Sequence, residues 1–322
     1  MNVLVIGGTG VIGWHVVLEL CARGHKVRIL ARRPPKGITL PEQVTFISGD
    51  YLKGDISSAF DGMEGIVFAA SPDYRQLSRG SAWDFYQHTN VEAPTKLFQS
   101  AKRAGVRRGV FVTSYYHVVA PELIPHHPYC HSRAESEEAV LNACCEGLNL
   151  SIIQPSWVVG PGFAGHLTLA GFYANLVRSF APLFAPPGGT NFVAATSLAH
   201  AMVTALERGR HGDRFLIGDE NLLWAELLER FAHAAGRQTK ISTIPKGLIY
   251  GTGTTTALCL RLLGYESGLK LSKWSRFFTE ELYFDPSPAQ QVLKYPVGNI
   301  NNIIAKAVAS NQTSPAFHSP LT

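Results

Sequence analysis

The sequence predicts an α/β fold, a doubly wound parallel sheet followed by a smaller, mainly helical C-terminal part. Three observations carry that expectation. Short runs of β-branched and aliphatic residues alternate with stretches of helical spacing from Val3 to Gln154. The first run opens directly into a turn in which glycines recur at every third position. Beyond Pro155 the alternation loosens, and helical stretches separated by Pro- and Gly-rich loops take over.

Val3 to Ile6 reads as a buried strand, and His15 to Arg23 as a helix with Val16 and Leu20 inward, ended by Gly24. Strands are expected at Lys26 to Ala31, Val44 to Ser48, Gly65 to Ala70, Gly109 to Ser114 and Leu150 to Gln154. One long helix fits Ala82 to Ala104, and another runs from about Tyr129 to Cys145. After Pro155, helices are expected over Phe163 to Phe180, Leu198 to Arg208, Leu222 to Ala235 and Asn301 to Ala309, with a short strand at Arg214 to Ile217. The apolar stretch from Gly247 to Leu263 is close to the minimum length for a membrane span, but Lys246 and Arg261 sit against or within it. It reads as a buried or lid helix rather than an embedded one.

Between the first strand and its helix lies Gly7-Gly8-Thr9-Gly10-Val11-Ile12-Gly13. Gly7 permits the tight turn, Gly10 lets the backbone approach a pyrophosphate, and Gly13 lets the helix pack close to the strand. The helix N-terminus then offers unpaired N–H groups and the positive end of its dipole to phosphate. Composition agrees with a small-molecule protein. The net charge of +5 is modest and its Lys and Arg residues are scattered, which argues against nucleic acid as a partner. The five cysteines lack metal-type spacing, so free thiols in a reducing compartment and no metal site are expected. Val3 already lies inside the first strand, leaving no room for a signal peptide. The expected location is cytoplasmic, as a monomer or homodimer with no transmembrane span.

These motifs together resemble the extended short-chain dehydrogenase/reductases of the NAD-dependent epimerase/dehydratase type, nearest the dihydroflavonol-reductase and 3β-hydroxysteroid-dehydrogenase group. The glycine turn is similar to that family's cofactor loop, Gly49-Asp50 to its adenine-side turn, and Asn90-Val91-Glu92-Ala93-Pro94-Thr95 to its central-helix motif. Gln154 to Gly162 resembles the segment that passes the nicotinamide, and Tyr283-Phe284-Asp285-Pro286 a C-terminal landmark. The resemblance implies a Rossmann-type cofactor domain over residues 1–155 and about 187–218. It implies a substrate-binding part over residues 156–186 and about 219–310, with residues 311–322 a frayed tail. Besides Gly7, Gly8, Thr9, Gly10, Val11, Ile12 and Gly13, it implies cofactor contacts from Asp50, Tyr51, Ala69, Ala70, Asn90, Pro155 and Val158.

The end of the second strand points to NADP. An acid about twenty residues beyond the glycine turn would accept from the ribose hydroxyls of NAD. No Asp or Glu occurs from Gly24 to Pro41, and Arg32 and Arg33 stand there instead, suited to a 2′-phosphate. Where the family has Tyr-x-x-x-Lys, this chain has Tyr129-Cys130-His131-Ser132-Arg133. The spacing puts Tyr129 and Arg133 on one helix face, where a cation stabilises a phenolate. Arg133 keeps the charge but cannot serve as a neutral amine in a proton relay. Alignment on Val118 puts Tyr115 in the place of the family's catalytic serine; Ser114 or Thr113 can supply the hydroxyl with a one-residue adjustment, and Tyr115 can supply a phenol. His126, His127, Cys130 and His131 crowd around Tyr129 without a second ligand group.

The expected activity is NADPH-dependent reduction of a ketone or aldehyde on a hydrophobic small molecule. Trp157, Phe163, Phe172, Tyr173, Phe180 and Phe184, and downstream Leu258, Leu260, Leu262, Leu263, Trp274, Phe277 and Phe278, are the apolar residues expected near it. The shortage of charge from Leu248 to Leu263 disfavours a nucleotide sugar, whose diphosphate would call for Arg or Lys. Two other readings stay open: a non-redox isomerase, cyclase or epimerase-like enzyme on the same fold, and a cofactor-sensing binding protein.

Overall fold

The first strand settles the centre of the molecule. Val3, Leu4 and Val5 are 0% exposed and Ile6 1%, the signature of a parallel strand covered on both faces. It is one of seven parallel strands: β1 (Asn2–Ile6), β2 (Lys26–Ala31), β3 (Val44–Ser48), β4 (Gly65–Phe68), β5 (Arg108–Val112), β6 (Asn149–Pro155) and β7 (Arg214–Ile217). Their order is β7-β6-β5-β4-β1-β2-β3. The chain therefore reverses its direction of winding between β1 and β4, and in such sheets ligands bind at the carboxyl ends of the strands at that switch point. The computed structural model describes residues 1–35, 39–72, 74, 76–160, 168–179, 181–270, 273–298 and 300–310.

The helices used below are α1 (Val11–Ala22), α2 (Ala82–Tyr86), α3 (Ala93–Arg103), α4 (Pro128–Cys144), α5 (Leu169–Leu176), α6 (Ala195–Arg208), α7 (Trp224–Ala234), α8 (Lys246–Leu262) and α9 (Ile300–Ser310). On one face of the sheet Val16, Val17 and Leu20 of α1 share a core with Leu198, Met202 and Leu206 of α6. On the other face Leu97, Phe98 and Ala101 of α3 and Val140 and Leu141 of α4 close over Phe68 and Phe111. Ring centroids of Phe68, Phe98 and Phe111 lie 5.5 to 6.3 Å apart, the spacing of packed aromatic pairs. The doubly wound Rossmann-type sheet expected from the alternation is present, with a helical C-terminal portion.

Two boundaries differ in an informative way from the sequence expectation. The long helix expected over Ala82 to Ala104 is interrupted by a wide π turn at Gln87–Glu92. Pro94 lacks the N–H that would bond the Asn90 carbonyl, and its ring crowds that carbonyl, so the turn before it opens. The helix expected over Phe163 to Phe180 is described only as α5, Leu169–Leu176, with residues 163–167 and 180 outside the described residues. The expected tail, residues 311–322, also lies outside them.

After β6 the chain builds a second, four-stranded sheet from Trp157–Val159, Gly189–Ala194, Glu220–Leu223 and Glu281–Leu282. Phe192, Trp224, Leu227, Phe231, Ile300 and Ile304 form its core with α7 and α9. Two short ribbons pair Leu77–Arg79 with Tyr265–Ser267 and Phe184–Ala185 with Ser242–Thr243. Between the outer strands of those ribbons runs α8, and of the two expectations for it, a buried helix or a lid helix, the buried one does not hold. Only Ile249 and Gly253 of α8 are buried, while Leu248, Leu258 and Leu262 stand in solvent. Sequence hydrophobicity promised a buried element, but the helix has neighbours on one side only. No helix among the described residues is long and apolar enough to cross a membrane.

Candidate active site

The cradle at the β1–α1 turn is built from backbone. Gly7 adopts φ +80°, a left-handed conformation that glycine tolerates, and a Cβ there would stand 2.8 Å from Ala70 Cα. A Cβ on Gly13 would strike the Gly7 carbonyl oxygen, so α1 can approach the turn only with glycine at that place. The Gly10 amide bonds the Gly7 carbonyl at 2.9 Å, and Ala69 N bonds Ile6 O at 3.0 Å. No side chain caps the N-terminus of α1 at Gly10, leaving Val11, Ile12 and Gly13 to offer their amides outward. Gly8 and Thr9 complete the turn, and the whole segment sits at the carboxyl edge of β1, beside β4. The cradle thus fits a dinucleotide pyrophosphate.

Arg32 and Arg33 follow β2 immediately, and both side chains are exposed. Asp50 is held in its own turn, its Oδ1 accepting from Leu52 N at 3.1 Å. Tyr51 packs edge-on against Phe68 at 5.1 Å. Burial pushes the Tyr51 phenol up to about 12, with Arg133 and Arg32 pulling it down and Asp50 raising it. Deeper in the crevice Asn90 is fully buried in the π turn. Its Nδ2 donates to Ser132 Oγ at 2.9 Å, and Ser71 Oγ donates to its Oδ1 at 3.3 Å. Pro155 ends β6 and accepts from Tyr115 N at 3.2 Å, while Val158 lies in the second sheet opposite Val193. The switch point thus gathers Gly7, Ala69 and Ala70. Pro161 and Gly162, the last two residues of the expected nicotinamide segment, lie outside the described residues.

Tyr129 and Arg133 lie one turn apart near the start of α4. Pro128 is at its first turn, where a missing N–H costs no hydrogen bond. The guanidinium carbon of Arg133 stands 5.1 Å from the Tyr129 ring centroid, a cation–π contact. Arg133 is 4% exposed; its Nη1 donates to Val112 O at 3.3 Å, and its Nε has no hydrogen-bond partner among the described residues. Tyr86 and Tyr74 close on the Tyr129 ring edge-on at 5.8 and 6.1 Å. Trp157 packs on Tyr74 at 5.9 Å and donates from its indole to the Tyr116 hydroxyl at 2.6 Å. Tyr116 in turn packs on Phe277 at 4.5 Å. The chemistry on offer is the Tyr129 phenol and the Arg133 guanidinium inside an enclosure of further tyrosine, tryptophan and phenylalanine rings.

Of the hydroxyls named for the serine place, Thr113 donates to Glu137 at 2.6 Å and Tyr115 is tied to Thr190, while Ser114 is the least committed. Tyr115 is buried and shares a 2.6 Å hydrogen bond with Thr190, and burial raises its phenol. Ser114 is buried, its Oγ 3.5 Å from Tyr116 N. Of the aromatics expected around a substrate, Trp157, Trp274, Phe277 and Phe278 converge here, whereas Phe172 and Phe184 are 48% and 54% exposed. Phe163 and Phe180 are outside the described residues.

Sequence reasoning missed two features. Glu137, on α4 one turn beyond Arg133, accepts from Thr113 at 2.6 Å, from Gln154 at 2.9 Å, and pairs with His117 Nε2 at 2.8 Å. Burial alone would raise its carboxyl, but the bonds from His117, Thr113 and Gln154 together hold it below the ordinary range. Four elements contribute to this cluster, so no local spacing announces it. His127, fully buried, accepts the Lys270 amide on Nδ1 at 2.9 Å and leaves Nε2 unpartnered. Burial pulls it down to about 4, helped by His126, Lys273, Lys270 and Arg276. Among the described residues, no three His, Cys, Asp or Glu side chains converge to hold a metal ion.

Residues 3–218 match the model of the NAD dependent epimerase/dehydratase family. The chain is 28% identical over 269 residues to Sterol demethylase protein B of Methylococcus capsulatus, covering 78% of this chain and 80% of that one. It is 28% identical over 260 residues to Cinnamoyl-CoA reductase 1 of Oryza sativa subsp. japonica, covering 70% and 73%. Its fold is similar to that of UDP-Glucuronic acid 4-epimerase from Bacillus cereus in complex with NAD. That match has a TM-score of 0.72 at 15% identity and covers 96% of this chain and 99% of that one.

Proposed function

The chain belongs to the NAD dependent epimerase/dehydratase family of Rossmann-type oxidoreductases that use a nicotinamide cofactor, and from that premise we propose that it reduces a ketone or aldehyde on a hydrophobic small molecule with NADPH. The observation that carries this reading is the pairing of Tyr129 and Arg133 inside a wall of aromatic rings. Bound at the glycine cradle, NADPH supplies a hydride. Tyr129 Oη then donates the proton that the forming alkoxide needs, and Arg133 sets a fixed positive charge against the ring that becomes phenolate. The Asn90–Ser132 bond ties the π turn to α4, since Ser132 Oγ also donates to Tyr129 O at 2.9 Å, and so holds the phenol in place. Tyr74, Trp157, Tyr116 and Phe277 exclude water and offer apolar contact to the substrate. Ser114 orients the carbonyl, because the Tyr115 hydroxyl is committed to Thr190. Residues 156–186 and about 219–310 form the substrate part.

NADPH is preferred over NADH because Arg32 and Arg33 stand where a 2′-phosphate would lie, with no acid from Gly24 to Pro41 to receive ribose hydroxyls. Calorimetric titration should show NADPH binding at least about tenfold tighter, or ~1.4 kcal/mol, and Arg32→Ala with Arg33→Ala should erase most of that difference. Turnover follows from loss of NADPH absorbance against a panel of apolar ketones, with UDP- and dTDP-sugars as competitors. Equal affinity for both cofactors defeats the NADP assignment. Competition by a nucleotide sugar moves the reading to an epimerase.

The engaged Tyr115 hydroxyl and the stacked Arg133 favour a second reading, a non-redox isomerase or cyclase on the same site. In that case substrate and product have one mass, and no NADPH absorbance is lost.

A further inference from the structure

Helix α8 carries two apolar stripes, and the fold uses one of them. Ile249 and Gly253 face inward and are buried, with Leu260 half-buried on the same side. On the opposite side Leu248, Thr255, Leu258 and Leu262 recur at helical spacing, with Cys259 and Leu263 beside them. Leu248, Leu258, Leu262 and Leu263 are 60, 60, 78 and 71% exposed. The ribbons at the two ends of α8 carry exposed apolar residues of their own. Exposed Phe184 stands on the strand paired with Ser242–Thr243, and exposed Leu77 on the strand paired with Tyr265–Ser267. A run of solvent-facing apolar residues this long marks a docking surface.

The charge around it says what docks. From Arg230 to Tyr265 the chain carries Arg230, Arg237, Lys240, Lys246 and Arg261 and no Asp or Glu, with Glu229 and the exposed Glu266 at its borders. Arg230 is held by Glu220 at 2.7 Å, and Arg237 by the carbonyls of Val177 and Ala181. Lys240, Lys246 and Arg261 have no ion pair among the described residues. Two-fold pairing of this face with a second copy would set cations against cations, since the same patch meets itself. A surface of acyl chains beneath anionic headgroups satisfies both halves of the pattern.

We propose that α8 docks on an anionic lipid surface, lying in the headgroup boundary with its outward leucines toward the acyl chains. Lys246 and Arg261 then meet lipid phosphates. The helix lies on the membrane and does not span it, being too short and too interrupted by glycine and threonine. The docked face connects directly to the catalytic helix, because Gly268, just past the ribbon, accepts the Tyr129 amide at 3.0 Å.

The test is flotation of the full chain with vesicles, which reads binding without turnover and so stands apart from the reductase reading. The protein should float with phosphatidylcholine–phosphatidylglycerol vesicles, less with phosphatidylcholine alone, and less at high salt. Leu258→Glu combined with Leu262→Glu should reduce partition at least about tenfold while leaving thermal unfolding unchanged, because both side chains are exposed. Lys246→Gln with Arg261→Gln should weaken binding several-fold on the anionic vesicles only. Absence of flotation with anionic vesicles overturns the proposal, and equal binding to neutral ones overturns the role of the cations. A concentration-dependent dimer in light scattering, dissolved by the same Leu→Glu pair, gives the face to a second copy instead.

Discussion

The turn after β1 and helix α8 are both rich in glycine and aliphatic residues, yet one is pressed against neighbouring backbone and the other is among the most exposed segments. At the turn, glycines sit where backbone from β4 and from the turn itself leaves no room for a Cβ. In α8, Gly247 and Gly251 have nothing within reach of a Cβ, and neighbouring leucines look into solvent. The same composition therefore means close approach in one place and an open surface in the other. What separates them is the number of elements that surround each segment, not their intrinsic preference.

That contrast breaks most sharply at Gly13. Gly13→Val puts branched carbon against the Gly7 carbonyl, which cannot yield without moving β1. We expect a loss of at least about 3 kcal/mol in urea unfolding, and no measurable NADPH binding by calorimetry. Normal cofactor affinity in that variant would show that the turn is not the cradle.

Tyr129→Phe is expected to lower kcat by about 10²-fold or more, the usual scale for a lost general acid, with the circular dichroism spectrum unchanged. Arg133→Lys keeps a cation at the same helical position and should retain activity, whereas Arg133→Met should lose it. A parent that reduces ketones as fast as its Tyr129→Phe variant would remove Tyr129 from the mechanism.

Between the enclosed turn and the open helix lies Asp219, half in each condition. Its Oδ2 accepts from Ala194 N at 2.9 Å, but burial pushes the carboxyl up to about 6 from an ordinary value of 3.8, outweighing the help from Ala194 and Ser197. A raised carboxyl binds more protons in the native state than in the unfolded one. Stability from this group is therefore fully present below about pH 4 and is lost as pH rises through about 6. Asp219→Asn should stabilise the protein by about 1–3 kcal/mol at pH 7 and by almost nothing at pH 4, read from urea midpoints. An equal gain at both values would show that the charge is not the cause.

The smallest effect sharpens the comparison inside α8 itself. Ile249→Ala empties a buried position and should cost about 2 kcal/mol. Leu262→Ala, thirteen residues on in the same helix, should change stability by less than about 0.5 kcal/mol in the same urea titration. Similar costs at both positions would mean that the outward stripe is covered in the isolated protein.

Local chemistry made much of the parallel sheet legible. Strand limits at Lys26–Ala31, Val44–Ser48 and Arg214–Ile217 coincide with those read from apolar runs, because each strand is bounded by Gly, Pro or charged residues that cannot continue it. The glycine turn was legible for the same reason, since its backbone geometry depends on its own residues. The proximity of Tyr129 and Arg133 was likewise implicit in their spacing on one helix.

What the sequence by itself determined, then, is whatever depends on residues a few positions apart: the strand–turn–helix cradle, the parallel sheet implied by alternation, and the Tyr129–Arg133 face. Only the tertiary structure decided that Glu137 would meet His117, Thr113 and Gln154, that Tyr115 would bond Thr190, and that α8 would keep one apolar stripe in water. Those outcomes join residues 17 to 75 positions apart or depend on which surfaces remain uncovered. Burial and long-range hydrogen bonding are properties of the assembled packing, and hydrophobicity along the chain carries no record of the neighbour that will, or will not, arrive.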